Sequence, residues 1–307
     1  MNFLAVIISL LILRVAGSAA MFQVDGWLDI WLARLHRLST QPAAHFMVAV
    51  VTPCVVVWVG YALLGRWLWG SVELLLSVLV LLYSLGRGTY KSILRRYQTV
   101  WREQTINCET MEQIATELSA QCAMNTPDQK SSESENSDLV SQTNDSIYEQ
   151  HYRLRELFFY VGFERVFTVL FWFAILGPVA ALFYRITSMY YSRTQHAFAV
   201  KVLFVLEWPA ARIAGLCFGL VGDFARLMQA WLSLAANLQV ASGEFINATA
   251  SAALNFQSQW LSHNFIDARN HAELAKFAAD EVSQMLGLYN RAIVCMLVFV
   301  ALFEIIV

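Results

Sequence analysis

The chain has 307 residues, of which 58% are hydrophobic and only 14% are charged. Soluble domains carry roughly 45–50% apolar and about 25% charged residues, so this composition excludes an ordinary soluble enzyme and a disordered chain. The 21 Lys and Arg residues against 23 Asp and Glu give a net charge of −2, which leaves no basic surplus for binding nucleic acid. We therefore expect an integral membrane protein whose main partner is the lipid bilayer.

The first apolar segment, residues 2–20, imitates a secretory signal peptide because small residues follow its apolar stretch. A signal peptide carries its positive charge before that stretch, whereas the first basic residue here, Arg14, comes after it. We predict a retained membrane helix.

A transmembrane hairpin is predicted next. Residues 38–65 contain no Asp, Glu, Lys or Arg, and residues 67–86 contain only Glu73. A membrane helix needs about 20 predominantly apolar residues, so both stretches are long enough to cross. Basic residues precede the first helix and follow the second. By the positive-inside rule, the start of the first helix and the end of the second therefore lie on the cytoplasmic side. Residues 1–86 thus form an N-terminal membrane region.

A polar insert follows at residues 87–164. It begins with a cluster of basic residues and continues into an acidic stretch rich in Ser and Asn at 126–145. Such a stretch cannot bury enough apolar surface to offset the entropy lost on ordering. We predict a cytoplasmic helical insert with a disordered tip at 126–145.

The remaining residues, 165–307, are predicted to form the membrane core. Residues 166–184 carry no charge, residues 225–285 are amphipathic, and the C-terminal residues 288–307 are again apolar. Gly215, Gly219 and Gly222 recur at three- and four-residue spacing, a pattern typical of close helix packing in membranes, which we expect to be against 166–184. The predicted fold class is an all-α polytopic bundle of five or six membrane helices with amphipathic interfacial helices.

No phosphate-binding loop, dinucleotide-binding glycine motif, serine-hydrolase elbow or zinc-protease motif occurs in the sequence. We therefore expect no catalytic residues, no cofactor and no metal site. Ionisable residues in or beside membrane spans are costly, which makes them functional hypotheses by default. Glu164 beside Arg165, and Glu207 five residues before Arg212, fit two interpretations: ion pairs that fix the bundle, or contacts to a ligand.

One part of the chain resembles a known family. The runs LRELFFYVGFERVFTVLFWFAILGPVAALFYR at 154–185 and VLFVLEWPAARIAGLCFGLVG at 202–222 resemble the AmpE family of inner-membrane proteins. Members of that family are regulatory or signalling modulators encoded beside a cytoplasmic amidase of cell-wall recycling, and are associated with β-lactamase induction. The resemblance implies a non-catalytic, multi-pass inner-membrane regulator linked to peptidoglycan recycling and antibiotic response.

AmpE proteins are in turn distantly similar to the CbiB/CobD membrane enzymes of cobalamin synthesis. This chain keeps Gly177, Pro178, Trp208 and Arg212 in approximately matching places, but Leu203-Phe204 stands where those enzymes have paired aspartates. The synthase reaction needs its substrate carboxylate to be activated, usually by a nucleotide and a divalent cation, and hard cations bind to carboxylate oxygens. Because the paired aspartates are absent, the resemblance implies a scaffold without the synthase chemistry.

A residual pocket on that scaffold would suit an anionic ligand because of its arginines. Its predicted lining is Glu164, Arg165, Tyr184, Arg185, Ser192, Glu207 and Arg212. Two alternatives stay open: a membrane transferase or ligase related to adenosylcobinamide-phosphate synthase with an altered substrate, and a transporter-like protein. Membrane or cytoplasmic protein partners and a homo-oligomer are compatible with all three.

Overall fold

The computed structural model describes residues 2–16, 26–35, 42–64, 71–85, 89–103, 108–119, 139–255 and 271–306. Within these ranges every regular element is helical, which confirms the predicted all-α class. In chain order the elements are α1 (Asn2–Ala16), α2 (Gly26–Leu35), α3 (Pro42–Leu64), α4 (Ser71–Ser84), α5 (Thr89–Arg102), α6 (Cys108–Ser119), α7 (Leu139–Gly162), a π-helical segment (Phe163–Phe167), α8 (Thr168–Leu176), α9 (Pro178–Thr194), α10 (Ala197–Val221), α11 (Phe224–Ala235), α12 (Ser242–Leu254) and α13 (His271–Ile306).

Among the described residues, four helical stretches are long and apolar enough to cross a membrane: Ala44–Leu63, Gln150–Leu176, Ala197–Val221 and Lys276–Ile305. Two shorter apolar helices, Phe3–Leu13 and Ser71–Ser84, accompany them. The chain is therefore a helical membrane protein, as its composition predicts.

The predicted span at 166–184 is wrong in its boundaries. The helical run that starts as α7 continues through the π-helical segment and α8 and ends at Leu176. Gly177 then adopts φ 82°, a conformation that glycine reaches without a Cβ clash, and Pro178 starts α9. The apolar span is Gln150–Leu176, so the polar side chains near its middle are flanked by apolar helix on both sides.

Two compact units divide the chain, and each draws on separate parts of the sequence. The first contains residues 1–89, 163–211 and 296–307. Its core lies where α2, α3 and α9 meet, around Leu28, Phe46, Ile186 and Tyr190. In this unit α9 is the central helix, since it packs against α3, α4 and α8.

The second unit contains residues 90–162 and 212–295. Here α7 packs against α6 and α12, and α11 packs against α12. The strongly amphipathic α5 buries Leu94, Tyr97 and Trp101 and exposes Arg95 and Arg96, which is the pattern of a helix with one face on a core.

Some sequence predictions fall on residues that the structure does not describe. Residues 126–138 of the predicted disordered tip lie outside the described ranges, and α7 begins at Leu139. Residues 65–70, between the two helices of the predicted hairpin, and residues 256–270 of the predicted amphipathic region also lie outside them.

Candidate functional site

The predicted ligand-binding residues are divided between the two units. Glu164, Arg165, Tyr184, Arg185, Ser192 and Glu207 belong to the first unit, and Arg212 belongs to the second. Most of them are buried, with Glu164 only 1% and Tyr184 0% exposed. The first unit therefore holds a group of ionisable side chains in its interior rather than on its surface.

Glu164 is the centre of the first group of contacts. Its carboxylate accepts a hydrogen bond from the Ser188 hydroxyl and lies 3.9 Å from Nη1 of Arg185. Arg185 and Ser188 are three residues apart, so they share one face of α9. A buried carboxylate is costly unless it is paired, and these two contacts from α9 supply a charge and a donor.

Tyr184 and Glu207 form the second contact of this unit. The phenol hydroxyl of Tyr184 donates to Oε1 of Glu207 over 3.1 Å, which joins α9 to α10. Nearby, Nε1 of Trp172 on α8 donates to the carbonyl oxygen of Leu206 over 3.0 Å. Three consecutive helices of the unit are thus linked by side-chain hydrogen bonds around buried polar groups.

The local geometry of Glu164 and Arg165 comes from the π-helical segment in which both lie. A π-helical turn contains an extra residue, so it interrupts the regular i to i−4 hydrogen bonds and changes the direction of the side chains, often at functional sites. The hydroxyl of Thr168 donates to the carbonyl oxygen of Phe163, five residues earlier, over 3.3 Å. Arg165 is buried here, with 4% of its surface exposed.

Ser192 has a different environment from the other predicted ligand residues. It is exposed near the end of α9, and its hydroxyl donates to the carbonyl oxygen of Met189 in the same helix over 3.0 Å.

Arg212, in the second unit, makes its described contacts within that unit. Its guanidinium lies over the ring of Phe245 at 4.4 Å, and its Nη2 donates to the carbonyl oxygen of Asn237 over 3.3 Å. The indole N–H of Trp231 donates to the carbonyl oxygen of Arg212 over 3.2 Å. These contacts connect α10 to α11, α12 and the loop between them, so the geometry is that of a side chain that positions helices.

Gly215 and Gly219 of α10, and Gly222 directly after this helix, face close neighbours in the second unit. A Cβ at Gly219 would lie 2.6 Å from Cδ2 of Leu227, and one at Gly222 would lie 2.8 Å from the carbonyl oxygen of Ala253. At Gly215 a Cβ would lie 3.0 Å from Cε1 of Phe245. The contacts that the structure gives to these glycines come from α11 and α12, rather than from the 166–184 stretch that we expected.

A second polar network, which sequence reasoning missed, lies inside the second unit. Nε2 of His151 is 3.1 Å from Oε2 of Glu281, and Nη1 of Arg155 donates to Oε1 of the same carboxylate over 3.1 Å. The other ring nitrogen of His151, Nδ1, bonds to the hydroxyl of Tyr97. All four side chains are buried, with 8% exposure or less.

Burial raises the pKa of the Tyr97 phenol, which keeps its proton available. When Tyr97 donates that proton to Nδ1, a neutral His151 carries its own proton on Nε2, where it faces Glu281. One signal for this network is present in the sequence, namely the i, i+4 spacing of His151 and Arg155. Nothing in the sequence indicated that Glu281 meets them.

The described residues contain no group of three or more His, Cys, Asp or Glu side chains that could hold a metal ion. The contacts that the structure shows in the two networks are hydrogen bonds and charge pairs between helices.

Comparison with known proteins identifies a family. A family model described as regulatory signalling modulator protein AmpE matches residues 1–279. Neither a curated protein nor a solved structure matches the chain.

Proposed function

Because this chain belongs to the AmpE family of regulatory signalling modulators, we propose that it is a non-catalytic, multi-pass inner-membrane regulator that links peptidoglycan recycling to β-lactamase induction. The observation that carries this proposal is the family match over residues 1–279. The four long apolar helices support the membrane part of it.

The geometry of the first unit is consistent with regulation rather than catalysis. Glu164 is paired with Ser188 and Arg185, and Tyr184 donates to Glu207, so the contacts that the structure gives to these two carboxylates are made to other side chains of the protein. All of these contacts involve α9. A signal that changes one of them would change how α9 packs, because breaking a buried pair leaves an uncompensated charge.

We further propose that an anionic cell-wall fragment acts through the arginines of this unit, Arg165 and Arg185. Both are buried in the protein interior, and a guanidinium offers paired donors that match a carboxylate or phosphate. Such a ligand would compete with Glu164 for Arg185 and so alter the contacts of α9. Tyr184, Ser192 and Glu207 are the other first-unit residues that we propose for this site.

The regulatory role is tested by complementation. In a strain that lacks its own family member and carries an inducible β-lactamase, expression of this chain should change the response of the enzyme to a β-lactam. Arg185→Gln should abolish that change, whereas Lys201→Gln, at an exposed position of α10 in the same unit, should not. Identical induction with and without the chain would contradict the proposal.

The ligand class is tested by thermal shift of the purified protein in nanodiscs. Anhydro-muropeptides, nucleotides with Mg²⁺ and corrinoid intermediates are compared against the wild type and Arg185→Gln. A rise in melting temperature with anhydro-muropeptides that is lost in Arg185→Gln would support a regulator that binds cell-wall fragments. A shift and turnover with corrinoids and nucleotide would instead favour the membrane transferase or ligase.

A further inference from the structure

The first unit contains an apolar cleft of about 520 Å³ between α3 and α4. Leu182 and Ile186 of α9 form its buried floor, and Val56 and Leu79 lie on its two walls. Helices in a folded protein normally pack without voids larger than a water molecule, so a space of this size is available to an occupant.

The chemistry of the lining excludes water as that occupant. Nearly all of the lining surface is carbon. At one end, Nε1 of Trp27 donates to the Tyr83 hydroxyl over 3.0 Å, and Nε1 of Trp31 is buried without a hydrogen-bond partner. A buried water needs about two to four polar partners, and a cavity that does not offer them stays dry or takes up an apolar guest. The occupant must therefore be a hydrocarbon.

The cleft is continuous with the surface that this protein presents to lipid. Its α3 wall belongs to the candidate span Ala44–Leu63, and the wall residues Val56 and Leu79 are 65% and 43% exposed. The adjacent outward positions of α3, Val55 and Val59, are also exposed and apolar. A hydrocarbon chain can thus enter the cleft sideways from the bilayer without crossing a polar barrier.

The two ends of the cleft differ in polarity, as do the ester end and the methyl end of a lipid acyl chain. At one end lie Trp27 and Trp31, one turn apart on the short helix α2, together with Tyr83. Tryptophan and tyrosine prefer the depth of the lipid headgroups, where an apolar ring has a polar edge. One helical turn away, Val56 and Leu79 provide only aliphatic surface.

From these observations we infer that the cleft between α3 and α4 binds one acyl chain of a bilayer phospholipid. The ester end of the chain lies beside Trp27 and Trp31, and its methylenes run along Val56, Leu79 and Leu182. This inference does not rest on the regulatory function proposed above, and it gives the first unit a specific lipid site in addition to its general contact with the membrane.

The test uses the full-length protein reconstituted in vesicles of phosphatidylethanolamine and phosphatidylglycerol, with a small fraction of phosphatidylcholine that carries a diazirine near the end of one acyl chain. After illumination, lipid adducts are located by peptide mass spectrometry. We expect adducts to concentrate on the α3, α4 and α9 segments that line the cleft, and to be several-fold fewer on the exposed apolar face of α13 around Val298 and Leu302.

A matched pair of variants separates the cleft from the general lipid surface. Val57→Trp places a large ring in the cleft, which Val57 lines, whereas Val59→Trp places the same ring on the outward face of α3. The cleft adducts should fall several-fold in Val57→Trp and stay unchanged in Val59→Trp. If Val57→Trp fails to elute as a single folded species, Val56→Phe makes the same test with a smaller ring.

Two results would overturn the inference. One is an even distribution of adducts over all exposed apolar faces with no loss in Val57→Trp or Val56→Phe. The other is a photo-reactive residue at position 57 that crosslinks to a second polypeptide instead of to lipid, which would show that a protein segment occupies the cleft.

Discussion

In the two units, the buried charged residues contact partners at very different separations along the chain. In the first unit, Glu164 bonds to Ser188 24 residues later, and Tyr184 bonds to Glu207 23 residues later. In the second unit, Glu281 meets His151 and Arg155 across 130 and 126 residues. The first set joins consecutive helices, whereas the second requires the C-terminal helix to pack against a helix from the middle of the chain.

We therefore expect the two networks to serve different roles. Contacts between consecutive helices can rearrange while the rest of the fold stays in place, so the first set suits a regulated element. A carboxylate that holds two cationic or hydrogen-bonding partners from a distant segment fixes the tertiary fold, because all three groups are left buried and unmatched if the segments separate. We therefore expect the network around Glu281 to contribute more to stability than the contacts of Glu164.

The largest expected effect is at Glu281. Glu281→Leu leaves Arg155 and His151 buried without their carboxylate and should lower the free energy of unfolding by about 3–5 kcal/mol. Denaturant titration in detergent, followed by circular dichroism, measures this change. Asp280→Asn is the control, since Asp280 is the exposed neighbour, and it should behave as the wild type. An equal loss of unfolding free energy in the two variants would contradict the structural role proposed for Glu281.

A smaller effect is expected at Glu164. Glu164→Gln keeps an acceptor for Ser188 but removes the charge that faces Arg185 at 3.9 Å. The expected loss is about 1.5–3 kcal/mol, the usual contribution of a charged hydrogen-bonded group. The same titration measures it, and the double variant with Arg185→Gln should be less than additive because the two residues share one interaction. Strict additivity would show that Glu164 and Arg185 act independently.

Helix packing in the second unit gives the next prediction. At Gly222 an added methyl group would meet the backbone oxygen of Ala253 at 2.8 Å, whereas at Gly287 it would meet nothing within 4 Å. Gly222→Ala should therefore destabilise the protein by about 1–3 kcal/mol through overpacking. Gly287→Ala, inside α13, should instead stabilise it by up to about 1 kcal/mol through helix propensity. Melting temperatures in detergent should shift in opposite directions, and equal shifts would contradict the close approach of α10 and α12.

The smallest effect at neutral pH is expected for Tyr97. Burial raises its pKa in the folded protein above the ordinary value of 10.0. The folded state therefore holds this proton more tightly than the unfolded state, and the associated stability is present below about pH 10 and is lost as the pH rises further. Tyr97→Phe should cost about 0.5–1.5 kcal/mol at pH 7 through its lost hydrogen bond.

The alkaline limb of the stability curve is the specific readout for Tyr97. In Tyr97→Phe, the decrease in unfolding free energy above pH 10 should be shallower than in the wild type. The control is Thr99→Ala, at an exposed position of the same helix, which removes no titratable group and should leave that limb unchanged. A limb of equal slope in both variants would show that Tyr97 does not carry the pH dependence.

The site in the first unit could be predicted in part because its residues lie within one recognisable stretch of sequence. Glu164, Arg185 and Glu207 are ionisable groups beside apolar runs, and Tyr184 is implied by the resemblance to the cobalamin-synthesis enzymes. The structure brings these four residues into two buried contacts. The helix break at Gly177 was missed because an unbroken apolar composition does not show where a backbone reaches a positive φ. The partner residue Ser188 was missed because a serine inside a helix gives no signal of its own.

The α-helical fold class, the membrane location and the membership of a regulatory family can be read from the sequence, since these properties follow from composition, apolar run length and a local motif. The contacts of Glu281 with His151 and Arg155, and the apolar cleft that α3 and α4 leave above α9, are visible in the folded molecule alone. Such contacts join segments far apart in the chain. Their formation depends on the packing of whole helices and not on any residue's neighbours in the sequence.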